Sequence, residues 1–346
     1  ANAHTSCLEA AAHIGIAFGV SRSSANTGKA LGASLRHDTR QMHKLLSAAL
    51  LAHLAAAARP ALRRRSLIAA APLTLLRPAH AAERYLEQKV VAELGTDGQP
   101  VAYETVRRLT GEGTGLDLSR NEDISARIFV DAANWPAAAP FSENDFKRLD
   151  ESDDAQFYPA QQPRLVYHID EGAVAALTSY YKREIKPGAD VLDICSSWVS
   201  HYPQNLKLGR VAGTGMNERE LRANTQLTEF TQRDLNKTPQ LPYKDRSFDV
   251  VTCVVSIDYL TKPIQVLKEV RRVLRPGGRV ILSQSNRMFM TKAVRMWVSM
   301  GDEDHLELIG QYLKYAGGYG APAAFDISAK GRGARDPMYI VTATAV

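Results

Sequence analysis

The sequence predicts an α/β fold for its carboxy-terminal half, a mainly parallel sheet with helices on both faces. Three observations carry this expectation. From Asp170 onward, short apolar runs alternate with segments of helical periodicity, the pattern of repeated strand–helix–strand units. The run 250–256 (VVTCVVS) is almost purely apolar, which suits a strand covered on both sides. The segments KPG at 186–188 and RPGG at 275–278 supply the punctuation between elements.

The elements follow in order. Residues 173–182 space their apolar side chains as a helix does, and KPG ends it. Residues 189–195 (ADVLDIC) read as a short buried strand and 209–216 (GRVAGTGM) as a second. Asn217 then caps a helix over 218–224, since its side chain can accept from the free N–H groups of the first turn. The strand 250–256 is expected beside 189–195 at the centre of the sheet. Thr261 stands where a cap is needed for the next helix, with Pro263 in its first turn. Ile264, Leu267, Val270, Val273 and Leu274 form that helix's apolar stripe. Strands at 279–285 (RVILSQS) and 338–345 (MYIVTATA) and a helix at 302–315 complete the pattern.

The amino-terminal part divides into a leader, 1–81, and an extension, 82–162. The whole chain of 346 residues carries a formal charge of +6. That charge is unevenly placed. Residues 1–81 hold ten basic residues against two acids, leaving 33 basic and 35 acidic residues for 82–346. A slightly acidic folded part lacks the basic footprint of a nucleic-acid binder. Residues 1–62 are rich in Ala, Ser and Arg, the composition of an organellar transit peptide. RRRSLI at 63–68, an apolar stretch at 67–76 and AHA at 79–81 follow. They give the positive flank, apolar core and small-x-small cleavage site of a second signal, similar to a twin-arginine signal. The expected address is the chloroplast, in the thylakoid lumen after cleavage at Ala81, with the stroma as the alternative.

Within the extension, 82–101 reads as a helix with a turn at 96–98, 111–115 (GEGTG) as a turn, and the acids of 150–154 as a solvated face. The three cysteines, Cys7, Cys195 and Cys253, suggest neither a disulfide framework nor a metal cluster. No apolar run reaches the roughly 20 residues that span a bilayer.

The runs LPYKDRSFDVV at 241–251 and EVRRVLRPGG at 269–278 resemble the class I S-adenosylmethionine-dependent methyltransferase superfamily, in particular its type 11 group. In that group they form the entry to the fourth strand, then the helix and tight turn before the fifth. The fold implied is a Rossmann-like sheet over 163–346. Phe157-Tyr158, Pro163-Arg164, His168-Ile169-Asp170, SSWVSHYP at 196–203, GMN at 215–217, SNR at 285–287, TKA at 291–293, AGG at 316–318 and DPMY at 336–339 are similar to a methyltransferase-like subfamily of plants, algae and bacteria. That likeness covers about 141–346.

The resemblance implies a site beyond the carboxyl ends of the strands. In the superfamily the first strand ends in an acid and a Gly-x-Gly-x-Gly loop around the methionyl part of the cofactor. Here Asp193 keeps the acid, but Cys195, Ser197 and Val199 stand at the glycine positions, so Cys195, Ser196 and Ser197 would form an altered loop. The acid that usually holds the ribose is replaced by Gly215, followed by Met216 and Asn217; Glu218 or Glu220 would have to substitute. Asp234 and Leu235 keep the adenine contact. Ser256, Asp258 and Tyr259 follow the fourth strand and would line the pocket near the transferred methyl.

Candidates to take a proton from the acceptor are His201, Asp258 and Tyr259. His201 reads equally as a hydrogen-bonded loop histidine, and Asp258 and Tyr259 as pocket lining. The leading function is S-adenosylmethionine-dependent methyl transfer to a small molecule. The alternative is a cofactor-free binding or assembly module. A dehydrogenase is disfavoured, because no Gly-x-Gly-x-x-Gly joins the first strand to its helix.

Overall fold

A computed structural model describes residues 84–94, 100–159 and 162–346. The expected leader, and the turn expected at 96–98, lie outside these residues. An antiparallel hairpin comes first, β1 (Tyr85–Leu94) and β2 (Pro100–Leu109), with Tyr85 opposite Leu109. This corrects the helix expected over 82–101. Gln88 and Val90 are buried while Glu87 and Lys89, alternating with them, are exposed, a period of two rather than 3.6. The Gln88 side chain donates to the carbonyl of Ala223 and accepts from the Thr225 hydroxyl, tying the hairpin to the domain body.

The main sheet has eight strands. They are β3 (Glu122–Asp123), β4 (Val191–Ile194), β5 (Val211–Gly215), β6 (Glu229–Gln232), β7 (Phe248–Val254), β8 (Leu274–Gln284), β9 (Ala323–Asp326) and β10 (Tyr339–Thr344). Their order is β3-β9-β10-β8-β7-β4-β5-β6. The pairs from β8 to β6 are parallel, and β10 pairs antiparallel with both β8 and β9. As expected, β7 lies beside β4 near the centre, with Val191 opposite Val250 and Ile194 opposite Cys253. β3 belongs to the stretch read as an extension, yet it adds an antiparallel edge strand to this sheet.

Four helices of more than one turn cover the sheet: α1 (Glu171–Glu184), α2 (Glu218–Ala223), α3 (Pro263–Val273) and α4 (Asp302–Ala316). The faces separate cleanly. Leu192, Ile194, Val251 and Cys253 pack with α3 and α4, whereas Val191, Val250 and Ile281 pack with α1. Asn217 caps α2 as expected, accepting from the N–H groups of Arg219 and Glu220.

Two details of α3 differ from expectation. Thr261 is not its cap: its N–H and hydroxyl both donate to Asn236 Oδ1, and Lys262 occupies the cap position ahead of Pro263. The buried stripe runs through Val266 rather than Ile264, which is half-buried, and Leu274 already belongs to β8.

A fully buried leucine on this stripe should dominate the helix's contribution to stability. Leu267→Ala is expected to lower unfolding free energy by about 2–5 kcal/mol, while Lys268→Ala, on the exposed side of the same turn, changes it by about 0.5 kcal/mol or less. Urea unfolding of both variants checks the assignment of faces.

Candidate functional site

The loops leaving β4, β5, β6, β7 and β8 converge at the carboxyl edge of the parallel strands, where the strand order reverses on either side of β4. They enclose a cavity of about 440 Å³, closed from above by a segment between Asp154 and Ile169. Backbone strain concentrates here. Of the four non-glycine residues with positive φ among the described residues, three line the cavity: Cys195 (54°), His201 (62°) and Val255 (38°). Such conformations persist where the surroundings over-determine them, as functional sites do.

Asp193 ends the central strand fully buried. Its Oδ2 accepts from Ser196 Oγ at 2.7 Å and Ser200 Oγ at 2.6 Å, and its Oδ1 from Thr252 Oγ1 at 3.1 Å. Burial pushes its pKa up to about 6 against the opposing pull of these three hydroxyls. The serines at 196 and 200 thus satisfy a carboxylate that the protein interior would otherwise penalise.

Ser197 reaches the other way, donating to Glu220 Oε2 at 2.7 Å. Glu220 Oε1 accepts the backbone N–H of Arg164 at 2.8 Å, and burial raises this carboxyl's pKa. Glu220 therefore joins the loop to the covering segment. Glu218 faces away and pairs with Arg222. Gly215 can carry no acid in this arrangement, because a Cβ there would collide with the carbonyl oxygen of Ser196. The altered glycine loop and the missing ribose acid are thus one feature: the bulkier loop passes over the end of β5.

The residues expected near the adenine lie together on one wall. Asp234 lines the cavity, its Oδ1 accepting the N–H groups of Asn236 and Lys237, its Oδ2 3.8 Å from Lys237 Nζ. Leu235 is buried beside it, and Met216 and Asn217 also line the wall. After β7, Ser256 lines the cavity and Tyr259 turns its ring into it, the hydroxyl accepting from the Phe289 N–H at 2.9 Å.

Asp258 does not reach the cavity. It is wholly buried behind the wall, where desolvation holds its pKa well above the carboxylate range. Residues 257–259 form a 3-10 turn, and three residues per turn send neighbouring side chains in different directions. His201 does line the cavity. Burial, aided by the nearby Arg108 charge, pushes its pKa down to about 4.

The covering segment supplies residues that sequence reasoning did not place in the site. The Arg164 guanidinium stacks over Phe157 at 4.4 Å and over Tyr158 and Phe289 at 5.1 Å, and donates to the Phe157 carbonyl. His168 packs on Phe289 with 5.3 Å between ring centroids. Of the acidic cluster 150–154, Glu151 and Asp153 are exposed as expected, whereas Asp150 and Asp154 anchor this segment. The fully buried Lys292 lies 3.2 Å from both Asp150 and Asp154, Arg148 lies 2.9 Å from Asp154, and Asn236 donates to the same carboxylate. The signal available was a conspicuous lysine in an apolar stretch far along the chain, with nothing in the sequence to say what it would meet.

Comparison with known proteins agrees with this geometry. Residues 195–282 match the family described as a methyltransferase domain. A demethylmenaquinone methyltransferase of Bacillus mycoides is 32% identical over 116 residues, 31% of this chain and 49% of that protein. The chain spans about half the length of the curated relatives it matches. Among solved structures, a methyltransferase of Thermotoga maritima, described as a possible histamine N-methyltransferase, superposes with a TM-score of 0.37. It is 19% identical, over 50% of this chain and 89% of its own. The [4+2]-cyclase SpnF superposes at 0.42 with 15% identity, over 61% of this chain and 99% of its own. The match to the methyltransferase domain family covers 195–282, from the loop after β4 into β8, on a sheet of this strand order.

Proposed function

We propose that the domain transfers a methyl group from S-adenosylmethionine to a small-molecule acceptor held in the cavity over β4. The observation that carries this reading is convergence: residues that the resemblance assigned to separate parts of the cofactor line one cavity at the strand ends, with Asp258 and the alternative Glu218 standing outside. The donor set fits the group. Asp234 Oδ2 has acceptor capacity left for the adenine amino group, and the backbone of 195–197 borders the methionyl end. No acid is offered to the ribose, so that part would rest on neighbouring polar groups such as Asn217.

The bound cofactor would supply an electrophilic methyl on a sulfonium, and the protein's task is alignment and exclusion of water. Tyr259 and His201 border the space for the acceptor. An imidazole with a pKa near 4 is neutral at pH 7 and a weak base. That suits an acceptor with an acidic proton or a free lone pair.

Three measurements test this reading. Calorimetric titration of the full chain with S-adenosylhomocysteine should show binding. Asp234→Asn, which keeps the turn to Asn236 but loses the free acceptor, should weaken it about tenfold. Gly215→Asp, which restores the family's acid, should abolish binding rather than improve it, because the side chain displaces the Ser196 carbonyl. Absence of binding by the parent chain would leave a binding module on an inherited fold.

The second concerns pH. A histidine with a folded-state pKa near 4 contributes stability at neutral pH that is lost as pH falls from about 6.5 through 4, because the unfolded chain takes up the proton first. Asp193 works in the opposite sense, its raised pKa favouring the folded state as pH falls through about 6. The difference between parent and His201→Asn, a residue that tolerates left-handed backbone, isolates the histidine. Between pH 7 and 4.5 the variant should lose about 2–3 kcal/mol less than the parent in urea unfolding.

The third concerns location. We propose that residues 1–81 direct the protein to the chloroplast and on to the thylakoid lumen; the two-part leader supports this. Amino-terminal sequencing of organellar protein should find a start at Ala82. A start upstream of Arg63 would indicate the stroma.

A further inference from the structure

Cys195 and Cys253, the two cysteines among the described residues, meet by a route that regular strand geometry would not produce. β4 and β7 run parallel with Ile194 opposite Cys253, and both side chains lie on the α3 and α4 side of the sheet. A strand continued by one residue would turn Cys195 to the other face. Its left-handed φ of 54° breaks that alternation, and its side chain packs into the same core as Ile194 and Cys253. Strands about 4.8 Å apart with a rise of about 3.3 Å put such diagonal neighbours roughly 6 Å apart at Cα, inside the range of about 4.4–6.8 Å that a disulfide needs.

The neighbouring Cys195 thiol, together with burial, pushes the Cys253 thiol well up. Access is asymmetric. Cys195 is half-buried and lines the cavity, whereas Cys253 is buried beneath it. A small reagent entering the cavity meets one sulfur and finds the second directly behind. A glycine at position 195 would satisfy the same backbone without strain, so the cysteine is held there against its conformational preference.

We propose that Cys195 and Cys253 are a peroxide-sensitive thiol pair that closes reversibly into a disulfide in the cavity wall. The Cys195 thiolate attacks one oxygen of hydrogen peroxide; the O–O bond breaks, hydroxide leaves, and Cys195 becomes a sulfenic acid. The Cys253 sulfur then attacks the Cys195 sulfur, the S–O bond breaks, and water leaves with the Cys253 proton. In sum two thiols are oxidised, and one peroxide, with the proton released from Cys195, is reduced to two waters. A dithiol reductant reverses the change. Shielding of Cys195 by bound cofactor rests on the methyltransferase reading; the disulfide itself does not.

The test treats the full chain with hydrogen peroxide, alkylates it under denaturing conditions and maps the peptides, with Cys7 followed on its own peptide. The expected result is a cross-linked pair of peptides carrying Cys195 and Cys253, lost on treatment with dithiothreitol. In Cys253→Ser, Cys195 should be trapped by dimedone as a sulfenic acid. In Cys195→Ser, Cys253 should stay a thiol. S-adenosylhomocysteine should slow cross-linking of the parent about tenfold. Full alkylation of both cysteines after peroxide, or oxidation of Cys253 at an unchanged rate in Cys195→Ser, overturns the proposal. Cross-linking at the same rate with and without S-adenosylhomocysteine would tell against the methyltransferase reading while leaving the thiol pair in place.

Discussion

The buried carboxylate of Asp193 is the constraint from which the site is built. A carboxyl group at the end of the central strand, shut off from water, costs several kcal/mol unless donors surround it. Three hydroxyls do so, from Ser196, Ser200 and Thr252, and each fixes more than itself. Ser200 Oγ also accepts from Asn224 Nδ2, which donates to the Ser197 carbonyl as well, so the loop is pinned to the end of α2. Thr252 shares a hydrogen bond with the Tyr202 hydroxyl, and Gln226 holds the Tyr202 carbonyl. The loop from Cys195 to Tyr202 thereby takes one shape, and left-handed backbone at Cys195 and His201 is what that shape requires.

The departures from the superfamily pattern are coupled to one another through this arrangement. A loop of serines carrying hydroxyls toward Asp193 is bulkier than a glycine loop, and its Ser196 carbonyl then occupies the space over Gly215. An acid at that position and a serine loop of this course are mutually exclusive. Ser197 and Glu220 show the same coupling: the carboxylate nearest the lost ribose contact is taken up by the new loop and by the covering segment. One change in loop chemistry thus accounts for three differences in sequence.

How much of this could be read from the sequence depended on whether the information was local. β7 and α3 carry their burial in their own composition, an apolar run and an amphipathic stripe, and were legible. β6 and β9 are four residues each, too short to establish a period on their own; they are strands because neighbours offer them a ladder. The β1–β2 hairpin hides its alternation, since one inward-facing position is Gln88, a polar residue satisfied across 135 positions of sequence. The residues expected after strand ends line the cavity, because the fold fixes where strands end. Asp258 does not, because adjacency in sequence to Tyr259 says nothing about direction once the chain enters a 3-10 turn.

The covering segment shows why the rest was not legible, and what that means for the chemistry. Asp150 and Asp154 look solvated in sequence because their counter-charge, Lys292, is more than a hundred residues away. Once Lys292 is buried, the pairing becomes obligatory: leaving either partner alone in the interior costs more than the pair itself contributes. Asp154 then passes the constraint on through Asn236 to the turn that holds Asp234, so one end of the cover and the cavity wall at Asp234 are set by the same carboxylate. At the other end Trp198 donates to the Val166 carbonyl and stacks edge-on with Tyr167 at 5.0 Å, fastening the cover to the loop that Asp193 shapes. Between these two anchors Arg164 lies among three aromatic rings and is fixed as well by its backbone N–H to Glu220 and its guanidinium to the Phe157 carbonyl. A cover fastened at several points suits the proposed transfer, in which water must be kept from the reacting methyl.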